Sequence, residues 1–263
     1  MTELPEKAAE TAEPVGTDGT VDVLAVGAHP DDVELGCGAT LVTLACRGLT
    51  FGILDLTRGE AGTRGTPAGR AAEAAEAARI LGARFRDSLD LGDGGLRTDR
   101  EAELAVVEAI RRRRPRLVLA QLAADRHPDH VRASRLVTDA SFYAGLRSLE
   151  TGRPPHRPQQ VVYFPSTFLA EPSFLVDVTG FLQTKLAAIR AFRSQFFSPG
   201  SDGPQTFVSS KEFLEGVTAL SGAFGRLANV GAAEAFVSAR PPMVDDPVRA
   251  FAGYEPGFEG STR

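Results

Sequence analysis

Tryptophan is absent from the 263 residues, and cysteine, methionine, tyrosine and histidine are scarce, at two, two, three and four. The two cysteines, Cys37 and Cys46, lie nine positions apart in what reads as one helix, too far to bridge. A disulfide scaffold is excluded. So is a zinc site built on a CxxC pair, and any metal site must therefore use histidines and carboxylates. No apolar run approaches the ~18 to 20 residues that cross a bilayer, and the N-terminus lacks the basic-then-apolar pattern of a secretory leader. These absences predict a cytoplasmic protein with no membrane partner. A basic excess is missing too: Lys and Arg total 29 against 34 for Asp and Glu, a net charge of −5, which excludes a nucleic-acid-coating protein.

What charge there is sits unevenly. Glu3, Glu6, Glu10, Glu13 and Asp18 face a single Lys7 in the first twenty residues. That stretch has no apolar periodicity and reads as an acidic disordered tail over 1–20. A single domain is expected over 21–240, and the Pro, Asp and Gly content beyond it predicts a C-terminal arm or tail over 241–263. No repeat appears at 20 to 50 residues.

Within 21–240, short β-branched runs alternate with longer segments of helical spacing. Strands are expected at 21–28, 50–57, 88–91, 116–122, 159–165, 174–178 and 232–238, the last closing the sheet. Helices are expected at 38–47, 70–81, 98–114, 131–144, 181–196 and 210–228. Strand, helix, strand repeated in this way predicts an α/β protein: a Rossmann-like three-layer fold whose mostly parallel sheet is flanked by helices.

Ligands of such sheets bind at the carboxyl ends of the strands, and the rare residues of this chain concentrate there. The first strand runs into Ala28-His29-Pro30-Asp31-Asp32-Val33-Glu34. The strand at 116–122 is followed by Asp125-Arg126-His127-Pro128-Asp129-His130. Three of the four histidines lie in these two segments. In each, proline disfavours helical backbone at the preceding histidine and suits the first turn of a following helix, so extended chain turns abruptly into helix and residues three apart converge. Two imidazoles and a carboxylate held by two strand ends match a catalytic zinc shell with a position open to water. The ligand set expected is His29, Asp32 and His130, holding one Zn2+ per chain, with other divalent metals also suited. Asp31 remains as a general base, and His127, as imidazolium, as oxyanion partner or acid.

Other residues read differently. Glu34 in a first helical turn complements the helix dipole, and Arg111 to Arg114 read as a solvated helix C-terminus. His156, among prolines, reads as a loop residue. The glycine-rich loop 57–66 lets backbone approach a ligand, and Arg58 or Arg64 within it, with Arg126, offers a cation to a substrate carboxylate. Gly27, Gly36 and Gly38 do not make a dinucleotide loop: the spacing places His29, Pro30 and Asp31 where glycines belong, and the carboxylates would repel a pyrophosphate.

The segment from Ala28 to Glu34, followed by His127-Pro128-Asp129-His130, resembles the paired signature of the LmbE-like (PIG-L) zinc deacetylases, a resemblance covering roughly 21–240. More narrowly, loop 57–66, Asp90-Leu91-Gly92-Asp93-Gly94, Asp125-Arg126-His127, Ser194-Gln195-Phe196 and Ser201-Asp202-Gly203 resemble the bacillithiol-pathway N-acetylglucosaminyl-malate deacetylases. The resemblance implies the ligands and base named above, a transition-state role for His127, and Asp129 as the residue orienting it. It also implies an amino-sugar substrate, homo-oligomers, and release of acetate from an N-acetylglucosamine conjugate, N-acetylglucosaminyl-malate first, with an inositol-linked or antibiotic-linked sugar as the alternative. A catalytically silent sugar-binding protein of the same fold is the remaining alternative. A tyrosine that some family members supply from their C-terminal half has no assigned counterpart in Tyr163 or Tyr254.

Overall fold

The computed structural model describes residues 19–166, 170–200 and 203–251. All but the last two positions of the expected acidic tail, the C-terminal arm beyond 251 with Tyr254, and the Ser201-Asp202 pair lie outside the described residues. The chain runs β1 (Val23–Gly27), α1 (Asp32–Cys46), β2 (Phe51–Asp55), α2 (Pro67–Leu81), β3 (Arg86–Ser88), α3 (Arg100–Arg113), β4 (Leu117–Gln121), α4 (Pro128–Tyr143), β5 (Gln160–Phe164), β6 (Phe174–Asp177), α5 (Leu182–Ala191), α6 (Lys211–Leu227), β7 (Ala233–Ser238) and α7 (Pro247–Phe251).

The strands form one sheet in the order β3-β2-β1-β4-β5-β7-β6. From β3 to β5 neighbours run parallel, with Val23 of β1 opposite Phe51 on one side and Leu117 on the other. β7 pairs antiparallel with both β5 and β6. The last strand therefore enters between two others and leaves β6 at the edge, instead of closing the sheet from outside. Alternation along the central strands sends side chains to two cores. Val23, Ala25 and Ile53 pack under α1, α2 and α5, whereas Leu24, Val26, Leu54 and Val118 pack under α3 and α4. This makes three layers, a sheet buried on both faces.

Helix ends follow local chemistry. Thr66 caps α2 by accepting from Gly69 N–H, Pro67 opens it, and Gly82 at φ 82° closes it. Asp99 and Ser210 cap α3 and α6 in the same way.

Several expectations need correction. α1 starts at Asp32, six residues before the expected 38, because Gly36 does not break the helix: an added Cβ there would lie 2.1 Å from the Phe164 ring, so glycine is the residue that lets α1 approach β5. β3 occupies 86–88 and not 88–91. Its Arg86 is drawn inward by Glu34 (2.5 Å) and Asp55 (2.7 Å), so the strand carries no apolar run to read. Glu34 does stand in the first turn of α1, as expected, and it is also fully buried and paired with Arg86. Arg111 is 2% exposed, donating to the carbonyls of Ala144, Leu146 and Leu149 as a clamp on the loop after α4; it is not solvated. The helix expected to 196 ends at Ala191.

Because β1 and β4 are neighbours while the crossovers from them run in opposite directions, a crevice opens between their carboxyl ends. Both histidine segments enter it.

Candidate active site

Past Gly27 the chain reaches Asp31 at φ 116°, ψ −23°, a left-handed backbone that a non-glycine residue holds at a cost of about 1 to 3 kcal/mol. This kink starts α1 and lets His29 N–H donate to Asp32 Oδ2 at 2.7 Å. Gln121 at the end of β4 accepts from Ala28 N–H at 2.8 Å, tying the two strand ends together. On the other side Asp125 accepts from His127 N–H (2.8 Å), Pro128 opens α4, and His127 is its cap: Nδ1 accepts from Asp129 N–H at 3.2 Å.

The structure brings His29, Asp32 and His130 together, with donor atoms within 4.8 Å of one another. His29 Nδ1 and His130 Nε2 each lie 3.3 Å from the Asp32 carboxylate. Their other nitrogens are turned outward: His29 Nε2 faces Asp93 (3.0 Å) and Asp129 (3.5 Å), and His130 Nδ1 faces Asp125 (3.2 Å) and Ser166 (3.1 Å). Ser166 also donates to Asp125. His130 Nδ1 is hydrogen-bonded to Ser166, whereas His29 Nε2 is buried close to the two carboxylates without a hydrogen-bond partner; the inner nitrogens and an Asp32 oxygen lie close together, and outer partners of this kind orient metal-binding histidines. The donor set fits a divalent cation. A second group, His29, His127 and Asp129, meets the same distance criterion but shares His29 with the first.

Without a metal the cluster holds protons. Burial opposes charge on His29, but Asp32 and Asp93 outweigh it and lift its pKa to about 11; His130 is lifted to about 9 against burial by Asp32 and Asp125. Burial resists ionisation of Asp125 as well, yet Ser166, the His127 backbone and His130 hold it at about 2.

Asp31 stands apart from this set. Burial, opposed by Arg70 and reinforced by the Asp32 charge, raises its pKa to about 7, where a group can take up and return a proton at neutral pH. Arg70, which the sequence reading missed, holds it. Its Nη2 donates to Asp31 Oδ2 (3.1 Å) and Pro30 O (2.6 Å), and its Nη1 donates to Gly59 O (3.1 Å). The signal was present: Arg70 shares the buried stripe of α2 with Ala74, Ala77 and Leu81.

In the metal-free cluster the imidazolium form expected of His127 is disfavoured. Burial and the charges of His29 and His130 lower its pKa, and Nδ1 is occupied as an acceptor, so the neutral ring carries its proton on Nε2. Asp129 touches His127 through its main chain; its carboxylate accepts from Gly94 N–H, Leu96 N–H and Arg132. Asp93 is a further residue that sequence reasoning left without a role: its carboxylate lies 3.0 Å from His29 Nε2 and accepts from Ala61 N–H of loop 57–66 at 2.9 Å.

These groups line a cavity of about 730 Å³ that includes Arg70, Asp93 and Arg126. The other expected substrate cations are elsewhere. Arg58 pairs with Asp90 at 3.0 Å, half exposed and off the lining, and Arg64 is buried, donating to Ser194 O and Pro204 O as a brace between loops. Tyr163 donates or accepts at Thr138, away from the site.

Residues 24–141 match the family model described as PIG-L, GlcNAc-PI de-N-acetylase. Among characterised relatives, the diacetylchitobiose deacetylase of Thermococcus kodakarensis is 35% identical over 189 residues, 66% of this chain and 70% of that one. The 4-oxalmesaconate hydratase of Pseudomonas putida is 29% identical, over 65% and 73% of the two chains. The structure of the conserved protein TT1542 from Thermus thermophilus superposes with a TM-score of 0.79 at 44% identity, covering 86% of this chain and 97% of that one.

Proposed function

This chain belongs to the PIG-L family of de-N-acetylases, and from that premise we propose that it hydrolyses the acetamide of an N-acetylglucosamine conjugate, N-acetylglucosaminyl-malate in the first instance, using Zn2+. The observation that carries the reading is the convergence of His29, Asp32 and His130 with two unspent proton-handling groups, Asp31 and His127, in one cavity.

His29 through Nδ1, Asp32, and His130 through Nε2 would hold the zinc ion. When bound, it supplies Lewis acidity to the amide carbonyl and to the attacking water. Asp31, poised near neutrality and held by Arg70, accepts the proton of that water as its oxygen bonds to the acyl carbon, then delivers the proton to the leaving nitrogen as the C–N bond breaks. His127 donates Nε2–H to the carbonyl oxygen as negative charge grows there, a hydrogen-bond donor where an oxyanion forms. Asp93, Asp125 and Ser166 keep the histidines oriented.

We assign Arg126, and not Arg58, to a carboxylate on the aglycone: Arg126 lines the cavity and Arg58 does not. Two unpaired cysteines, Cys37 buried and Cys46 exposed, support a reducing cytoplasmic setting. No helix among the described residues is long and apolar enough to cross a membrane.

The test is to incubate zinc-loaded protein with N-acetylglucosamine and its malate, inositol and chitobiose conjugates and to quantify free amine and acetate. Release from the malate conjugate above the others supports the reading, and Arg126→Ala should lower that preference about tenfold to a hundredfold, the worth of one charge-assisted contact. Water addition to an unsaturated dicarboxylate, with no amine released from any conjugate, would overturn it in favour of hydratase chemistry.

A further inference from the structure

The cavity does not end at the histidines. At about 730 Å³ it is the size of pockets that enclose whole drug-sized ligands, more than an acetamide and its sugar ring fill. Its lining is of two kinds. One part is loop: Ala61, Gly62 and Thr63 of loop 57–66 and Gly94, with the charged side chains of Asp93 and Arg126, and we call it the polar rim. Another part is mainly apolar. There α6 presents Phe213, Gly216, Val217, Leu220 and Phe224, spaced as one helical face, opposite Leu35 of α1.

The buried polar side chains of this gallery are already hydrogen-bonded, and its further carboxylate, Glu212, is exposed. Glu234 accepts from Lys185 (2.6 Å) and from the N–H groups of Ala39 (3.2 Å) and Thr40 (2.7 Å), and the Ser221 hydroxyl donates back to Val217 O. Phe207, 67% exposed, joins the gallery beside Arg126, whose guanidinium carbon lies 5.2 Å from its ring centre. Large apolar side chains left accessible beside a reaction centre mark a surface that a ligand covers.

We propose that this gallery receives an acyl chain longer than acetyl, so that the enzyme cleaves N-acylglucosamines with medium-length alkyl chains. The inference rests on the amidohydrolase reading above. With the amide at the histidine cluster, the sugar's hydroxyl groups belong at the polar rim, and the group on the other side of the amide, the acyl chain, belongs in the gallery. Chemistry is unchanged by chain length: the water oxygen bonds to the acyl carbon, the C–N bond breaks, the proton goes to nitrogen, and a carboxylate and a free amine leave.

Binding can be read on zinc-loaded Asp31→Asn protein, where turnover is suppressed, by calorimetry with N-acetyl-, N-butanoyl-, N-hexanoyl- and N-octanoylglucosamine and with the octyl glycoside of N-acetylglucosamine. Full burial of one methylene is worth about fourfold in affinity, so two of the six that distinguish octanoyl from acetyl should give at least a tenfold gain. The octyl glycoside should gain nothing. Gly216→Leu should erase the octanoyl advantage, since a Cβ there meets no atom within 4 Å and the new side chain fills gallery space. Gly222→Ala, equally uncrowded but off the lining, should preserve it. Affinity that is flat or falls with acyl length, or a gain shown by the octyl glycoside instead, overturns the proposal. Failure of the wild-type enzyme to release amine from any of these compounds overturns the amidohydrolase reading, and the chain-length series in binding still decides the gallery.

Discussion

Asp31 and Asp32 are adjacent carboxylates with opposite surroundings. Asp32 is gripped by two imidazoles and held well below the usual carboxylate range against its burial, as a metal ligand needs; Asp31, kinked away by its left-handed backbone, is raised to about 7. Asp31→Asn should therefore keep one zinc per chain while kcat falls roughly 10² to 10⁴-fold, the usual worth of a general base. A variant that has lost its zinc, or one with near-normal kcat, would remove Asp31 from proton transfer. Arg70 is then a positioning residue with its own signature. Its charge lowers the Asp31 pKa, and the base must be ionised to work, so Arg70→Gln should move the acidic limb of the kcat/KM profile to higher pH, with Arg70→Lys restoring part of the shift. An unmoved limb with merely lower protein stability would reduce Arg70 to its backbone contacts at Pro30 and Gly59. The two His-Pro-Asp segments were legible because rare residues followed strands. Arg70 was not, because a buried arginine in an alanine-rich helix announces itself only through its place in the apolar stripe, and the partner that justifies it lies 39 residues earlier.

Elements were readable where burial was continuous and obscured where a long-range partner replaced an apolar residue. β1, β2 and β4 lie between two cores and read as unbroken apolar runs. β3 exchanged that pattern for Arg86, whose partners sit on α1 and β2, and Arg111 looked like a helix-end charge until the carbonyls after α4 were seen around it. The start of α1 was hidden by glycines that local propensity counts as breakers. Gly36 is set by contact, and this can be checked. Gly36→Ala gains about 1 kcal/mol of helix propensity but places a methyl against Phe164, and overpacking of this kind costs about 1 to 3 kcal/mol. Chemical denaturation should show net destabilisation in the wild-type background and a gain when Phe164→Ala has cleared the space. Destabilisation of the same size in both backgrounds would mean that the glycine serves something other than this approach.

At the scale of the whole molecule, the Rossmann-like order puts both histidine segments at one crevice, and the same convergence makes folding and metal binding sensitive to pH in a definite sense. In the metal-free protein His29 and His130 are raised to about 11 and about 9 from an ordinary value near 6.5, so the folded state binds their protons more tightly than the unfolded chain does. Their contribution to stability is complete below about pH 6.5 and is lost as pH rises through the folded values. Asp31, raised from near 4 to about 7, acts in the same direction at lower pH: the folded state favours its neutral form, and stability falls as pH rises across that interval. Zinc reverses the tendency, because it requires both rings neutral and displaces their protons, so its apparent affinity should climb as pH rises. Urea unfolding of chelated protein at pH 5.5, 7.0 and 8.5 should give falling midpoints, while the increment added by saturating zinc widens over the same series. His130→Asn should flatten the upper part of the metal-free slope and remove most of the zinc increment. A chelated protein that is more stable at pH 8.5 than at pH 5.5, or a zinc increment independent of pH, would mean that these imidazoles are not the proton and metal store assigned to them, and the ligand set would have to be sought in His127 and Asp129, the other group that shares His29.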